Sequence, residues 1–196
     1  MTREEAIAAY FSTFSTQGFG AASIGYVAGR TGVSVAELHA AVGDRFAALD
    51  AFTHDADRTA LGAVANDGGV RDRLFDLIMA RFDASVPYKA AILALDGEAR
   101  RRPALALAAL GTLPRTAALF LSAAGVNTIG PLGIARVQGL AVLLADVGRV
   151  WLKDDDIDQG ATMRALDARL DQAERMIARL GRSAHKDEYM ETATPV

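Results

Sequence analysis

The stretch Gly18-Phe19-Gly20-Ala21-Ala22-Ser23-Ile24-Gly25-Tyr26-Val27-Ala28-Gly29-Arg30-Thr31-Gly32-Val33-Ser34-Val35-Ala36-Glu37-Leu38-His39-Ala40-Ala41-Val42-Gly43-Asp44-Arg45 decides the fold. Ile24, Val27 and Ala28 share one face of a short helix over about 23–31. Gly32 breaks that helix. Ser34 and Glu37 have the spacing of a capping box, which starts a second short helix ending near Val42. Two short helices around a glycine turn fit a helix-turn-helix, whose second helix enters the major groove of DNA. The same spacing fits a plain αα-hairpin in a helical core.

Helical signals continue on both sides. Upstream, Thr2 and Glu5 form a T-x-x-E capping box. Ile7, Tyr10, Phe11 and Phe14 then mark one buried stripe, ended by Gly18 and Gly20. Downstream, Gly43-Asp44 restarts the chain into a helix over about 45–65. Asn66-Asp67-Gly68-Gly69 is a polar glycine break and the best domain boundary. Leu74, Phe75, Ile78 and Phe82 mark an amphipathic helix, and Pro87 opens a short one to about Leu95. A charged connection, 96–103, carries Arg100-Arg101-Arg102. The pattern over 103–124 is helical, with a kink or break expected at Pro114. After a turn at 125–130, a long and almost uncharged helix runs from Leu132 to about Lys153. The acids of 154–158 suit the N-terminal end of a last helix, about 159–180, with Met163, Leu166, Leu170, Ile177 and Leu180 on its stripe. Residues 183–196 are polar and read as a disordered tail. Clean period-2 stretches are missing, so the fold class is all-α.

Composition removes several function classes. The 196 residues suit one domain, or a small one fused to a medium one. Hydrophobic residues make up 51% and charged residues 23%, which allows a substantial core. The absence of cysteine excludes disulfides, thiolate metal sites and cysteine nucleophiles. The N-terminal residues are acidic and polar, unlike a secretory signal, and no apolar run approaches the roughly 18 residues of a bilayer span. A cytoplasmic protein without stable membrane insertion is expected. Enzyme motifs fail too. His39, His54 and His185 lack a nucleophile beside them, and His54 with Asp57 has the spacing of a surface pair. Gly18-Phe19-Gly20 begins a dinucleotide fingerprint, but Ser23 stands at the sixth position. Asp154, Asp156 and Asp158 begin a calcium loop, but Gln159 and Ala165 occupy its glycine and glutamate positions. No catalytic residue, metal or cofactor is expected.

The 18–45 stretch resembles, without gaps, the N-terminal signature of TetR-type regulators. That resemblance implies an all-α chain with a three-helix DNA-binding head and an antiparallel helical-bundle body that binds a small apolar effector and dimerises. The implied divisions are 1–45 for the head, 46–66 for a connecting helix, 67–181 for the body and 182–196 for the tail. The family's recognition helix usually reads Ser-Lys-Gly-Thr-Leu-Tyr-His-His-Phe. Here Ser34-Val35-Ala36-Glu37-Leu38-His39-Ala40-Ala41-Val42 stands in its place, with Ala22 for the usual threonine and Gly25 for the usual arginine. By the resemblance, Ser34, His39 and Arg45 would meet phosphates and Ala40 a thymine methyl.

Charge is unfavourable for that role. Residues 1–66 hold Arg3, Arg30, Arg45 and Arg58 against Glu4, Glu5, Glu37, Asp44, Asp50, Asp55 and Asp57, so the head with its connecting helix carries the whole chain's net charge of −3. DNA affinity rests largely on Lys and Arg neutralising phosphates. A head of this charge binds DNA weakly, or through backbone amides and a dimer.

A second resemblance covers Val150-Trp151-Leu152-Lys153-Asp154-Asp155-Asp156, Ala161-Thr162-Met163 and Leu166-Asp167-Ala168-Arg169-Leu170. This segment is similar to the end of the mitochondrial lipid-binding accessory protein of ubiquinone biosynthesis, which has a TetR-like fold without DNA regulation. It implies a body able to hold an isoprenoid-like ligand. Phe75, Ile78, Met79, Phe82, Phe120, Leu121, Val137 and Leu140 are the candidate pocket lining; the same residues also suit a plain core. Arg100-Arg101-Arg102 suits an anionic headgroup or, more simply, a solvated loop. Pro103-Ala104-Leu105 after it suits a membrane-touching segment. The 132–153 helix is apolar on nearly every side, and with the last helix it suits a four-helix homodimer interface. Two functions follow: a TetR-like regulator of transcription, or a lipid-binding accessory protein whose head no longer binds DNA.

Overall fold

The structure is a computed structural model. It describes the backbone of residues 1–63 and 68–191, and the side chains of those residues apart from 109, 110 and 177–191. Among the described residues there are no strands. The helices are α1 (Arg3–Gln17), α2 (Ile24–Thr31), α3 (Val35–Val42), α4 (Arg45–Ala63), α5 (Val70–Ser85), α6 (Lys89–Ala99), α7 (Pro103–Ala123), α8 (Gly130–Trp151) and α9 (Gly160–Glu191), with a 3-10 turn at Val86–Tyr88 before α6.

The first capping box forms as its spacing predicts. Glu5 N donates to Thr2 Oγ1 at 3.2 Å, and Thr2 N donates to Glu5 Oε2 at 2.8 Å. The 3–4 stripe of α1 is buried whole: Ala6, Ile7, Tyr10, Phe11 and Phe14. At Gly18 the backbone turns to φ 80, a conformation that favours glycine, and its N–H closes on Phe14 O at 3.2 Å. The stripe meets Phe19, Val27, Ala28, Leu38, Ala48 and Phe52 in one core.

Rings dominate this head core. Phe11 lies 4.6 Å from Phe52 and 4.9 Å from Tyr88, while Phe14 and Phe19 are 5.4 Å apart and Phe19 and Phe46 5.1 Å apart. Each such pair adds about 1 kcal/mol beyond its buried area. Tyr88, Ala91 and Leu105 come from beyond the 66–69 break, so residues on both sides of the break share this core.

The second core is mainly aliphatic. Leu74, Leu77, Ile78 and Phe82 of α5 meet Ala117, Phe120 and Leu121 of α7, Leu140, Leu144 and Val147 of α8, and Leu166 and Leu170 of α9. Trp151 stacks on Phe82 at 5.3 Å with an interplanar angle of 16°. Polar ties cross the helices. Arg71 on α5 holds Asp171 at 2.9 Å and also pairs with Asp167, both on α9. Asp57 on α4 is buried, accepting from Arg81 Nε of α5 and Thr116 Oγ1 of α7, both at 2.7 Å.

Several expectations are corrected. The helix α7 runs unbroken through Pro114, because Thr116, Ala117, Phe120 and Leu121 beyond the proline are buried and hold it in place. The helix α9 continues to Glu191, well past residue 180. Residues 182–191 contain neither Gly nor Pro and include the helix formers Ala184, Lys186, Glu188 and Met190. Residues 192–196 of the expected tail lie outside the described residues, as do Asn66 and Asp67 of the expected boundary and the side chains of Ile177 and Leu180. His54 and Asp57 make no pair: His54 is exposed, and Asp57 is taken by Arg81 and Thr116. The expectation that no segment is long enough for a bilayer also needs correction. Both α7 and α8 are long and apolar enough by length and composition. Each nevertheless gives buried residues to the body core and carries arginines, Arg115 on α7 and Arg136 and Arg149 on α8.

Candidate nucleic-acid interface

The α2–turn–α3 unit is built from its caps. Ser23 Oγ accepts from Tyr26 N at 3.3 Å, and Ser34 Oγ accepts from Glu37 N at 3.1 Å. Gly32 between the helices takes φ 72. The second capping box is only half made. Glu37 does not reach back to its own helix start; its carboxylate accepts from the Met1 amine at 2.7 Å. This bond holds the amine pKa above its ordinary value. Glu37 therefore pins the start of α1 to α3, and it is largely exposed.

Leu38 roots α3 in the core, while Val27 and Ala28 root α2. Tyr10 donates its hydroxyl proton to Gly43 O at 3.0 Å, fixing where α3 ends. Burial also holds the Tyr10 phenol above its ordinary pKa. With Leu38 inward, Val35, Ala36, His39 and Ala40 form the outward face, and Val35 is 48% exposed.

Of the predicted contact residues, Ser34, His39 and Ala40 are together on this exposed helix. Arg45 is not with them. Its Nη1 donates to Phe19 O at 3.1 Å and Gly20 O at 3.2 Å, and its guanidinium lies 4.8 Å over the Phe19 ring. It braces the α1–α2 turn. Sequence reading missed Val35 and Ala36, which the i, i+4 spacing from His39 and Ala40 would have placed on the face. It also missed Tyr26 and Arg30, exposed on α2. The face is mostly apolar and small, with one imidazole. It suits thymine methyl contact and lacks a planar bidentate donor or acceptor for a base edge.

The eight candidate pocket residues do come together. Ile78, Phe82, Phe120, Leu121 and Leu140 are buried in the body core, and Phe75, Met79 and Val137 pack half-buried against it. Two surface hollows stand out among the described residues, and neither is lined by these eight. One, of about 170 Å³, lies by Ile7, Phe52 and Tyr88. The other, of about 500 Å³, lies by Gly20 and Arg102.

The acidic segment 154–158 has a specific anchor. Asp154 is buried, and its Oδ2 accepts from Thr162 N and Thr162 Oγ1, both at 2.7 Å. Those two bonds hold its carboxyl below the ordinary carboxylate range. Lys89 donates to the Asp154 carbonyl and sits 5.5 Å over the Trp151 ring, while Gln159 donates to Asp83. The segment straps α8 and α9 onto the end of α5 and the start of α6. No group of His, Asp or Glu suited to a metal ion occurs among the described residues.

On α8, Leu132, Ala135, Gly139 and Val142 line one exposed stripe, with Leu132 61% and Val142 63% exposed. The near-complete burial expected for this helix is thus not reached within one chain.

No family model matches the sequence, and no curated protein matches it. Solved structures do. A TetR transcriptional regulator from Nitrosomonas europaea superposes with a TM-score of 0.70 at 18% identity, over 88% of this chain and 97% of that one. A protein of Rhodococcus assigned to the same family gives 0.62 at 18% identity, over 86% and 96%. One of Shewanella, likewise assigned, gives 0.50 at 16% identity, over 98% of each chain. The chain has the TetR-type fold, an α2–α3 head on an all-helical body.

Proposed function

We propose that this chain is a TetR-type transcription regulator that binds operator DNA as a homodimer and responds to a small apolar effector. The carrying observation is α3 itself. It is capped by Ser34, rooted by Leu38, and presents Val35, Ala36, His39 and Ala40 outward with no protein group over them. In this reading α3 enters the major groove and α2 crosses the backbone. Ser34 and His39 meet phosphates, and Val35 and Ala40 touch thymine methyls. Arg45 acts indirectly, by holding the α1–α2 turn.

The exposed stripe of α8 supports dimerisation. A second copy across Leu132, Ala135, Gly139 and Val142, flanked by α9, completes a four-helix seam. The effector enters between α5 and α8, where Phe75, Met79 and Val137 are half-buried. It acts only by preferring one of two dimer arrangements. Because the lining residues are packed together, the ligand must displace side chains to enter. The protein is cytoplasmic, is not an enzyme and has no stable membrane insertion. The lipid-binding alternative ranks lower, since Trp151 and Asp154 of the segment that suggests it are committed to closing the α8–α9 connection.

The test is fluorescence anisotropy of the full chain with labelled DNA from its own upstream region, at low and near-physiological salt. Sequence-selective binding with a clear salt slope is expected. No binding at low salt refutes the regulator, and extraction of a bound isoprenoid or fatty lipid would then favour the alternative.

A further inference from the structure

The head has few cations to offer a phosphate backbone. Arg3 holds Asp55 at 2.8 Å, Arg58 lies 3.5 Å from the same carboxylate, and Arg45 is spent on Phe19 and Gly20. Among the described residues of the head, Arg30 is the one arginine without a side-chain partner.

The nearest supply lies outside the head. α6 packs along α1, and two of the three consecutive arginines of the α6–α7 junction, Arg101 and Arg102, border the α1–α2 turn. Glu98 is the link. Its Oε1 accepts from Phe19 N at 2.7 Å and its Oε2 faces Arg102 Nε at 2.8 Å, so both oxygens are occupied. The Arg102 guanidinium lies against Gly20, where an added Cβ would stand 2.4 Å from Nη2 and push the side chain aside. Arg100 leans back on Asp96 at 3.4 Å. Arg101 is exposed and has no side-chain partner among the described residues. The hollow of about 500 Å³ opens between Gln17, Gly20 and Ala21 on one wall and Glu98, Arg101 and Arg102 on the other. Two residues past Ala21, Ser23 caps α2, the helix that in a helix-turn-helix crosses the DNA backbone.

We infer that Arg101 and Arg102 form a phosphate-binding site for the DNA backbone in this hollow, beside the start of α2. The inference rests on the DNA-binding reading above. Glu98 neutralises Arg102 only in part of its donor set, leaving the Nη groups for an oxyanion, and Arg101 adds an uncompensated charge. Body residues thereby supply attraction that the acidic head lacks. The triplet is solvent-exposed, as the solvated-loop reading expects, and it is also fastened to the head through Glu98 and Arg102.

The experiment is the salt dependence of DNA binding by the full-length protein, with Arg101→Ala, Arg101→Lys, Arg102→Ala and, as a control on α9, Arg175→Ala. The Arg101 side chain makes no hydrogen bond or ion pair among the described residues, and its backbone bond to Glu98 O survives the substitution, so R101A should keep the wild-type melting curve. Its slope of log Kd against log salt should fall by about one for each protomer bound. R101K should retain the slope, R102A should show a fall like that of R101A, and R175A should match wild type. Wild-type binding with an unchanged R101A slope overturns this site while leaving the regulator standing. Absence of wild-type binding overturns both. Binding to phosphatidylglycerol vesicles that needs Arg101, with the DNA slope unchanged, assigns the arginines to a membrane and also overturns the proposal.

Discussion

The helices of the head start on side-chain caps, and three of those of the body do not. Thr2, Ser23 and Ser34 cap α1, α2 and α3, and Asp44 Oδ1 accepts from Phe46 N at 2.9 Å and Ala47 N at 3.0 Å to start α4. In the body, α6, α7 and α8 begin at Tyr88, Arg102 and Ile129 with no side-chain cap, while α5 and α9 keep one acceptor each, Asp72 for Gly69 N at 3.1 Å and Asp154 for Thr162 N at 2.7 Å. The cores differ in parallel. Rings from Tyr10 to Tyr88 fill the head, while Leu, Ala and Val fill most of the body. The head is specified by local chemistry at its helix ends, where one oxygen decides one boundary. The middle of the body, α6 to α8, is specified by burial, which fixes faces and leaves ends loose.

That contrast can be broken most sharply at its aromatic centre. Phe11→Ala removes contacts with Phe14, Phe52 and Tyr88 at once and should cost about 4 kcal/mol in urea unfolding. The loss should appear first in the head, read as early amide exchange of α1–α3. Asp57→Ala tests the join between head and body. It leaves Arg81, 16% exposed, without its carboxylate, and should cost about 3 kcal/mol in the same measurement.

A smaller effect is expected at Asp154. Its carboxyl sits below the ordinary range, so its stabilisation is complete above about pH 4 and fades as pH falls through its own lower value. Asp154→Asn should melt earlier than wild type at pH 7, and the gap should narrow as pH falls below about 4. A gap that stays constant would mean that charge contributes nothing there. The smallest effects compare the helix ends themselves. Ser34→Ala should cost about 1 kcal/mol, whereas Ile129→Ser, which gives α8 the cap it lacks, should gain about 0.5 kcal/mol. Equal insensitivity at both sites would erase the distinction.

The same contrast explains what was legible in the sequence. Gly18, Ser23, Gly32 and Ser34 each mark a boundary that the structure keeps within a residue or two. Leu74, Ile78 and Phe82 marked the inward face of α5 just as directly. What failed needed a partner distant in sequence. Glu37 had the right spacing for its own helix but found the Met1 amine. Arg45 looked like a phosphate ligand and found two carbonyls some 25 residues back. Pro114 looked like a kink or a break, and the break does not occur: the buried residues beyond it keep α7 continuous. Asp57 showed no sign that α5 and α7 would both reach it.

Tyr88 has a consequence for engineering. For a chimera joining the N-terminal helices of one chain to the body of another of this fold, the glycine break at 66–69 is the obvious place to cut. Here that cut would strip Tyr88 from its contacts with Phe11 and Phe52 and remove Ala91 and Leu105 from the head core. The graft would carry a hydrophobic wound where α6 had lain. The transplantable unit of this molecule is discontinuous: residues 1–63 together with residues 86–105, which return to close the head from outside.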